Sequence, residues 1–152
     1  MADNEVSREF KVTLVGAGNM GGAMVKGWLA AGISPANLTA LDPAPSAAIA
    51  SFLNEAGVNC HSNAKDCPVP DVIVVAVKPQ VMGSVLPGLA SLVGLETVVV
   101  SVAAGTRIAQ LAEHYADPAV VRAMPNTPAL VMRGITVACP NAKVSTTQRQ
   151  QV

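Results

Sequence analysis

Largely apolar runs recur along the chain, separated by longer segments in which apolar and polar positions mix. Phe10 to Val15 is one such run, Leu38–Leu41 a second and Val58–Cys60 a brief third. The clearest is Asp71–Val77, apolar at every position from Val72, followed by Thr97–Val102 and Ala119–Ala123. A strand with one face in water alternates apolar and polar residues. A run apolar throughout belongs to a strand covered on both faces, as in parallel sheets. Between the runs lie helix-compatible segments: Asn19–Ala31, Pro43–Ala56, Gln80–Leu92 and Thr106–Tyr115. Strand and helix in alternation predict an α/β fold, doubly wound, with a mostly parallel sheet and helices on both faces.

Breakers sit where such a fold needs them. Gly32 reads as the C′ glycine of the first helix, and Gly57 ends the second, whose proline falls near its start. Pro87 and Gly88 are expected to break or kink the third, and Thr106 is expected to cap the fourth. Gly134–Ala138 is expected to be a last strand, antiparallel at the sheet edge. Ser145 and Gln148 have the spacing of a capping box, and no stop signal follows. These signals divide the chain into a nucleotide-binding domain over residues 1–144 and, over 145–152, the start of a helix that leads onward.

Composition narrows the class. The 152 residues are rich in Ala, Val and Gly, poor in aromatics, and carry zero formal net charge. Nothing in that balance calls for nucleic acid or an anionic membrane, and no apolar run is long enough to span a bilayer. The polar start lacks the pattern of a secretory signal, and three cysteines suit a reducing compartment such as the cytoplasm. Cys60, His61 and Cys67 match no standard zinc spacing, so no metal is expected. Cys60 reads as a strand-end residue and Cys139 as a small buried hydrophobe.

The candidate chemistry begins where the first run stops. Val15-Gly16-Ala17-Gly18-Asn19-Met20-Gly21 places Gly-x-Gly-x-x-Gly after a strand and before a helix, the context of a Rossmann dinucleotide site. Gly16 permits the turn, Gly18 lets a pyrophosphate approach the backbone, and Gly21 permits close helix packing. Asp42 ends the second strand, where a carboxylate can accept hydrogen bonds from ribose hydroxyls and repel a 2′-phosphate. Lys78-Pro79-Gln80, Ala103-Ala104-Gly105 and Met124-Pro125-Asn126-Thr127-Pro128 follow later strands at their carboxyl ends, where ligands bind in such sheets. No catalytic dyad stands out. His61 and His114 are isolated, and Lys78 and Trp28 read as a strand-end and a packing residue. Arg122 reads as serving the fold or an ion pair.

Four of these segments, Val15–Met20, Ala76–Gln80, Ser101–Thr106 and Arg122–Pro128, taken with Gly134-Ile135-Thr136, resemble the amino-terminal domain of Δ1-pyrroline-5-carboxylate reductases. The resemblance implies reduction of the cyclic imine 1-pyrroline-5-carboxylate to L-proline by NADPH or NADH, the last step of proline biosynthesis. It implies that Val15, Gly16, Ala17, Gly18, Asn19 and Met20 wrap the pyrophosphate. Asp42 and Asn63 would meet the adenosine half, and Ala76, Val77, Lys78 and Pro79 the ribose nearer the nicotinamide. Ala103 and Ala104 would form the nicotinamide pocket, with Asn126 and Thr127 beside the reacting ring. The family's helical domain, which supplies dimerisation and most substrate contacts, has no counterpart here, so a homo-oligomer is expected of the intact protein and weak or no activity of this chain alone. Asp42 with no adjacent arginine leans toward NADH, although Ser46 could still assist a phosphate. The alternatives are another two-domain NAD(P)-dependent reductase, such as a β-hydroxyacid dehydrogenase, and a nucleotide-binding module without chemistry.

Overall fold

A computed structural model describes residues 10–125 and 135–152. Seven strands form one sheet: β1 (Val12–Val15), β2 (Leu38–Leu41), β3 (Asn59–His61), β4 (Val72–Val75), β5 (Val98–Ser101), β6 (Ala119–Pro125) and β7 (Thr136–Pro140). Their order across the sheet is β3-β2-β1-β4-β5-β6-β7. The first six are parallel, and β7 runs antiparallel to β6 at the edge. The chain therefore steps outward from β1 to β3, then crosses back to place β4 on β1's other side. That reversal opens a crevice beyond the carboxyl ends of β1 and β4.

Every residue of β1, β2, β4 and β5 is buried, which is why their sequences do not alternate. Alternation survives only in which core a residue enters. Val12, Leu14, Ala40, Val74 and Val100 join Val25 and Leu53 in one core, while Leu41, Ile73, Val75 and Val99 join Met82 and Leu111 in the other. Each such side chain contributes roughly 2 kcal/mol through the apolar surface it removes from water. The first core is closed by α1 (Asn19–Ala30) and α2 (Ala47–Glu55). The second lies under α3 (Met82–Val85), the adjoining 3-10 turns, and α4 (Ile108–Ala112).

α1 and α2 end alike. Gly32 (φ +94°) donates its N–H to Leu29 O, and Ile33 donates to Trp28 O. Gly57 (φ +74°) donates to Asn54 O and Val58 to Leu53 O. Both are Schellman endings that satisfy the last carbonyls and turn the chain toward the next strand. At the other end of the chain, α5 (Thr146–Gln151) begins in the expected capping box. Ser145 Oγ accepts from Gln148 N at 3.2 Å, and Gln148 Oε1 accepts from Ser145 N at 2.8 Å.

Five expectations need correction. α2 starts at Ala47 rather than Pro43: Pro45 disfavours a helical Ala44 before it, and Ser46 instead supplies the N-cap, accepting from Ile49 N. The segment 79–92 is a relay of 3-10, α and 3-10 turns, with Pro87 in the first turn of the last piece. Arg107, not Thr106, occupies the N-cap of a short α4, because Arg107 N–H is taken by Gln110 Oε1 at 2.9 Å while Thr106 is buried. β3 begins one residue late, so Cys60 lies in its middle rather than at its end. Cys139 is exposed, because β7 is an edge strand whose two faces are left uncovered by the described residues. Among the described residues, no helix is long and apolar enough to cross a membrane.

Candidate functional site

The glycines at the end of β1 interlock. Gly16 holds φ +91°, a left-handed conformation, and a Cβ there would stand 2.8 Å from Val77 Cγ1 and 3.0 Å from Ala76 O. A Cβ on Gly21 would run into Gly16 O. The third glycine of the motif therefore makes room for the loop itself. Gly18 differs: nothing lies within 4 Å of the position its Cβ would take. It is also the N-cap of α1 and offers no side chain to the helix's first N–H groups. Open space over a glycine, at an end of a twelve-residue helix with no side-chain cap, leaves the helix's first N–H groups accessible to an anionic oxygen.

Asp42 closes one side of this loop. Its Oδ2 accepts from Ala17 N at 2.8 Å and its Oδ1 from Ala44 N at 2.9 Å, while its own N–H donates to His61 O at 3.0 Å. Sequence reading assigned this carboxylate to ribose alone. The structure adds a second task, tying the glycine turn to the connection after β2.

A cavity of about 730 Å³ opens beside the loop. Of the residues picked from sequence, Val15, Gly16, Asp42, Asn63 and Val77 form part of its wall. Gly18 and Asn19 are exposed at the loop, and the Ala17 side chain is buried. Met20 turns away and lines a groove beside α1 with Trp28. Lys78 and Pro79 are exposed outside the wall, and Ala76 packs against the α1-side core. Ala103 is buried, its N–H donating to Ser101 Oγ at 3.2 Å, and Ala104 is exposed. Asn126 and Thr127 lie outside the described residues. Ser46 Oγ is occupied as the α2 cap.

Sequence reading missed Val81, Val85 and Leu89, which also line the cavity. Their spacing of four was the available signal: Val81, Val85 and Leu89 line the cavity, and Leu89 also joins Met82 and Leu86 in the core beneath it. A lining that holds apolar side chains together with Asp42, Ser62 and Asn63 suits a flat heteroaromatic ring joined to a sugar.

The remaining polar groups supply little acid–base chemistry. Burial, and secondarily the Asp42 charge, push the Cys60 thiol up, and burial pushes Cys67 up. Both stay protonated at neutral pH and are poor nucleophiles. Arg122 Nε is buried with no hydrogen-bond partner among the described residues, and no ion pair is found for it there. No three His, Cys, Asp or Glu side chains gather as metal ligands among the described residues.

A doubly wound sheet with a glycine turn and an open helix N-terminus at its switch point defines a Rossmann dinucleotide-binding domain. The comparisons agree and go further. The chain belongs to the family described as NADP oxidoreductase, coenzyme F420-dependent, whose model matches residues 11–105. Within that setting it is similar to proteins named pyrroline-5-carboxylate reductase. That of Escherichia coli K12 is 39% identical over 140 residues, covering 90% of this chain and 52% of the relative. Among solved structures, the pyrroline-5-carboxylate reductase of Coxiella burnetii superposes with a TM-score of 0.86 at 28% identity, over 95% of this chain and 54% of that one. The Plasmodium falciparum pyrroline carboxylate reductase, solved with NADP bound, gives 0.79 at 30% identity, over 93% and 52%. This chain thus spans about half the length of the relatives it matches.

Proposed function

We propose that the protein reduces 1-pyrroline-5-carboxylate to L-proline with NADPH or NADH, and that this chain is its cofactor-binding part. The observation that carries the reading is the empty space above Gly18 at the uncapped start of α1, next to a cavity of about 730 Å³. The reductases it resembles supply the substrate class.

In this reading the backbone of Val15 to Met20 holds the pyrophosphate, and Asp42 and Asn63 hold the adenosine half. Ala76, Val77, Lys78 and Pro79 reach the second ribose. Ala103 and Ala104 give the nicotinamide a flat, small-residue floor, with Asn126 and Thr127 beside the imine. The reduced nicotinamide, when bound, supplies the hydride. A protonated imine is already electrophilic, so the chain's task is to orient two rings and exclude water rather than to move protons. That agrees with a site poor in titratable groups. Residues 145–152 begin a helix leading into a second, helical domain that provides substrate contacts and homo-oligomerisation. The protein works in the cytoplasm on a small molecule, without nucleic acid or membrane.

The test is a calorimetric titration of the purified protein with NADPH and NADH, followed by imine-dependent oxidation of the tighter one by the full-length gene product. Binding and turnover are expected. A folded protein that binds neither, or binds without reducing the imine, overturns the reading.

A further inference from the structure

We infer that Ser101 is a positioning residue for the nicotinamide end of the cofactor: its hydroxyl fixes the turn at residues 103–105 against which that ring rests. This rests on the dinucleotide site proposed above and deepens it. Ser101 ends β5, whose other residues are Val98, Val99 and Val100. It is fully buried, at 0% exposure. Beside it in the sheet stand Val75 of β4 and Arg122 of β6. Val75 has no polar side-chain group, and Arg122 has only donors. A buried hydroxyl without a partner destabilises the fold, as at Thr13. Ser101 escapes that cost through the chain's own continuation: its Oγ accepts from Ala103 N at 3.2 Å.

That bond falls where β5 leaves the sheet. Val102 N–H still donates to Val75 O at 3.1 Å, as a continuing strand would, but the N–H of Ala103 turns to the serine instead. The chain then bends, with Gly105 at φ +74°. Ala103 stays in the core while Ala104 is exposed. The serine therefore sets where the exposed backbone at 104 stands. The cavity beside the glycine turn takes Asp42, Ser62 and Asn63 from beyond β2 and β3. A nucleoside held there leaves the second nucleoside of a dinucleotide to cross the end of β4 toward β5. Neighbouring strands lie roughly 4.8 Å apart, so β5 is about 10 Å from β1, a distance that a ribose and its ring span. Loosening the turn at 103–105 would cost the ring its support and leave the adenosine end undisturbed.

The experiment titrates the purified protein with the reduced dinucleotide that binds more tightly and with the same molecule lacking nicotinamide: ADP-ribose for NADH, 2′-phospho-ADP-ribose for NADPH. The wild type is expected to bind the dinucleotide more tightly, and the ratio of the two affinities measures what the ring contributes. In Ser101→Ala, which strands the Ala103 N–H, that ratio is expected to fall about fivefold, with the ring-free probe bound as before. Ser101→Thr, which keeps the hydroxyl, is expected to retain the wild-type ratio. Equal losses for both ligands in Ser101→Ala mean that the serine serves only the fold; they overturn the inference and leave the dinucleotide site standing. An unchanged ratio in Ser101→Ala, a wild-type ratio of one, or a folded Ser101→Thr as impaired as Ser101→Ala also overturns it. Binding of neither ligand by the folded wild type overturns both readings. Should Ser101→Ala not fold, the amide resonances of wild-type Ala103 and Ala104 decide. They are expected to shift with the dinucleotide and to stay in place with the ring-free probe, and any other pattern overturns the role of Ser101.

Discussion

The two flanks of the sheet are built differently. Around β1, β2 and β4, side chains are committed to one another on both faces, and the glycine turn, Asp42 and Val77 fit together at the carboxyl ends. Around β7 the apolar residues face outward: Ile135 is 73% and Val137 60% exposed. On the α1 side a groove of about 550 Å³ runs from Val12 and Val74 across Val100 and Ala123 to Ala138 of β7. The first flank is complete in itself, so its residues are constrained by neighbours already present. The second is a surface, whose residues answer to little within the described structure. The cavity beside the glycine turn opens on the constrained flank, between the ends of β1 and β2 and the segment that follows β4.

That contrast can be broken by substitution. Gly16→Val should be the most damaging change, since it puts a β-branched residue at φ +91° against Ala76 O. A loss of about 3 kcal/mol or more in urea unfolding is expected, with loss of dinucleotide binding. Ile73→Ala, at a fully buried position of β4, should cost about 3 kcal/mol by leaving a cavity. The matching change on the other flank, Val137→Ala, should stay within about 0.5 kcal/mol. A cost for it as large as that of Ile73→Ala would show that the β7 flank is covered after all.

Smaller effects sharpen the same picture. Thr13 is buried in β1, and its Oγ1 has no hydrogen-bond partner among the described residues. Thr13→Val replaces an unsatisfied hydroxyl by a methyl and should stabilise the protein by about 1 kcal/mol, read as a higher urea midpoint. Tyr115, whose hydroxyl donates to Leu86 O at 2.7 Å, is pushed up to about 12 by burial. Between its ordinary value near 10 and about 12, the folded state holds a proton that the unfolded state has lost. Stability from this group is full below pH 10 and falls as pH rises through that window. Tyr115→Phe should flatten that part of the curve.

Legibility in sequence followed the same division. Apolar runs announced β1, β2, β4 and β5 because burial on both faces leaves a continuous signature. Gly16, Gly32 and Gly57 were legible because each answers a local backbone demand, a positive φ at a turn. Cys139 was misjudged because a cysteine's burial depends on what covers the strand, which no neighbouring residue records. The grip of Asp42 on Ala17 N–H was invisible for a related reason: it joins two loops that meet only once β1 and β2 have paired. Val81, Val85 and Leu89 were hidden by a helix that turned out to be a relay of short turns, although their spacing was on view.

The position of β1 between β2 and β4 bears on the order in which the molecule assembles. β2 reaches β1 after one helix, whose Gly32 ending turns the chain back at once. β4 reaches β1 only after a second helix and a further strand, closing a much longer loop. The glycine turn lies on the seam between an early partner and a late one, since Gly16 packs against Ala76 and Val77 beyond β4. Ligand competence should therefore be the last property to appear in refolding. Followed by stopped flow, dinucleotide fluorescence should lag behind the recovery of helical circular dichroism; simultaneous recovery would mean that the two halves close in one step.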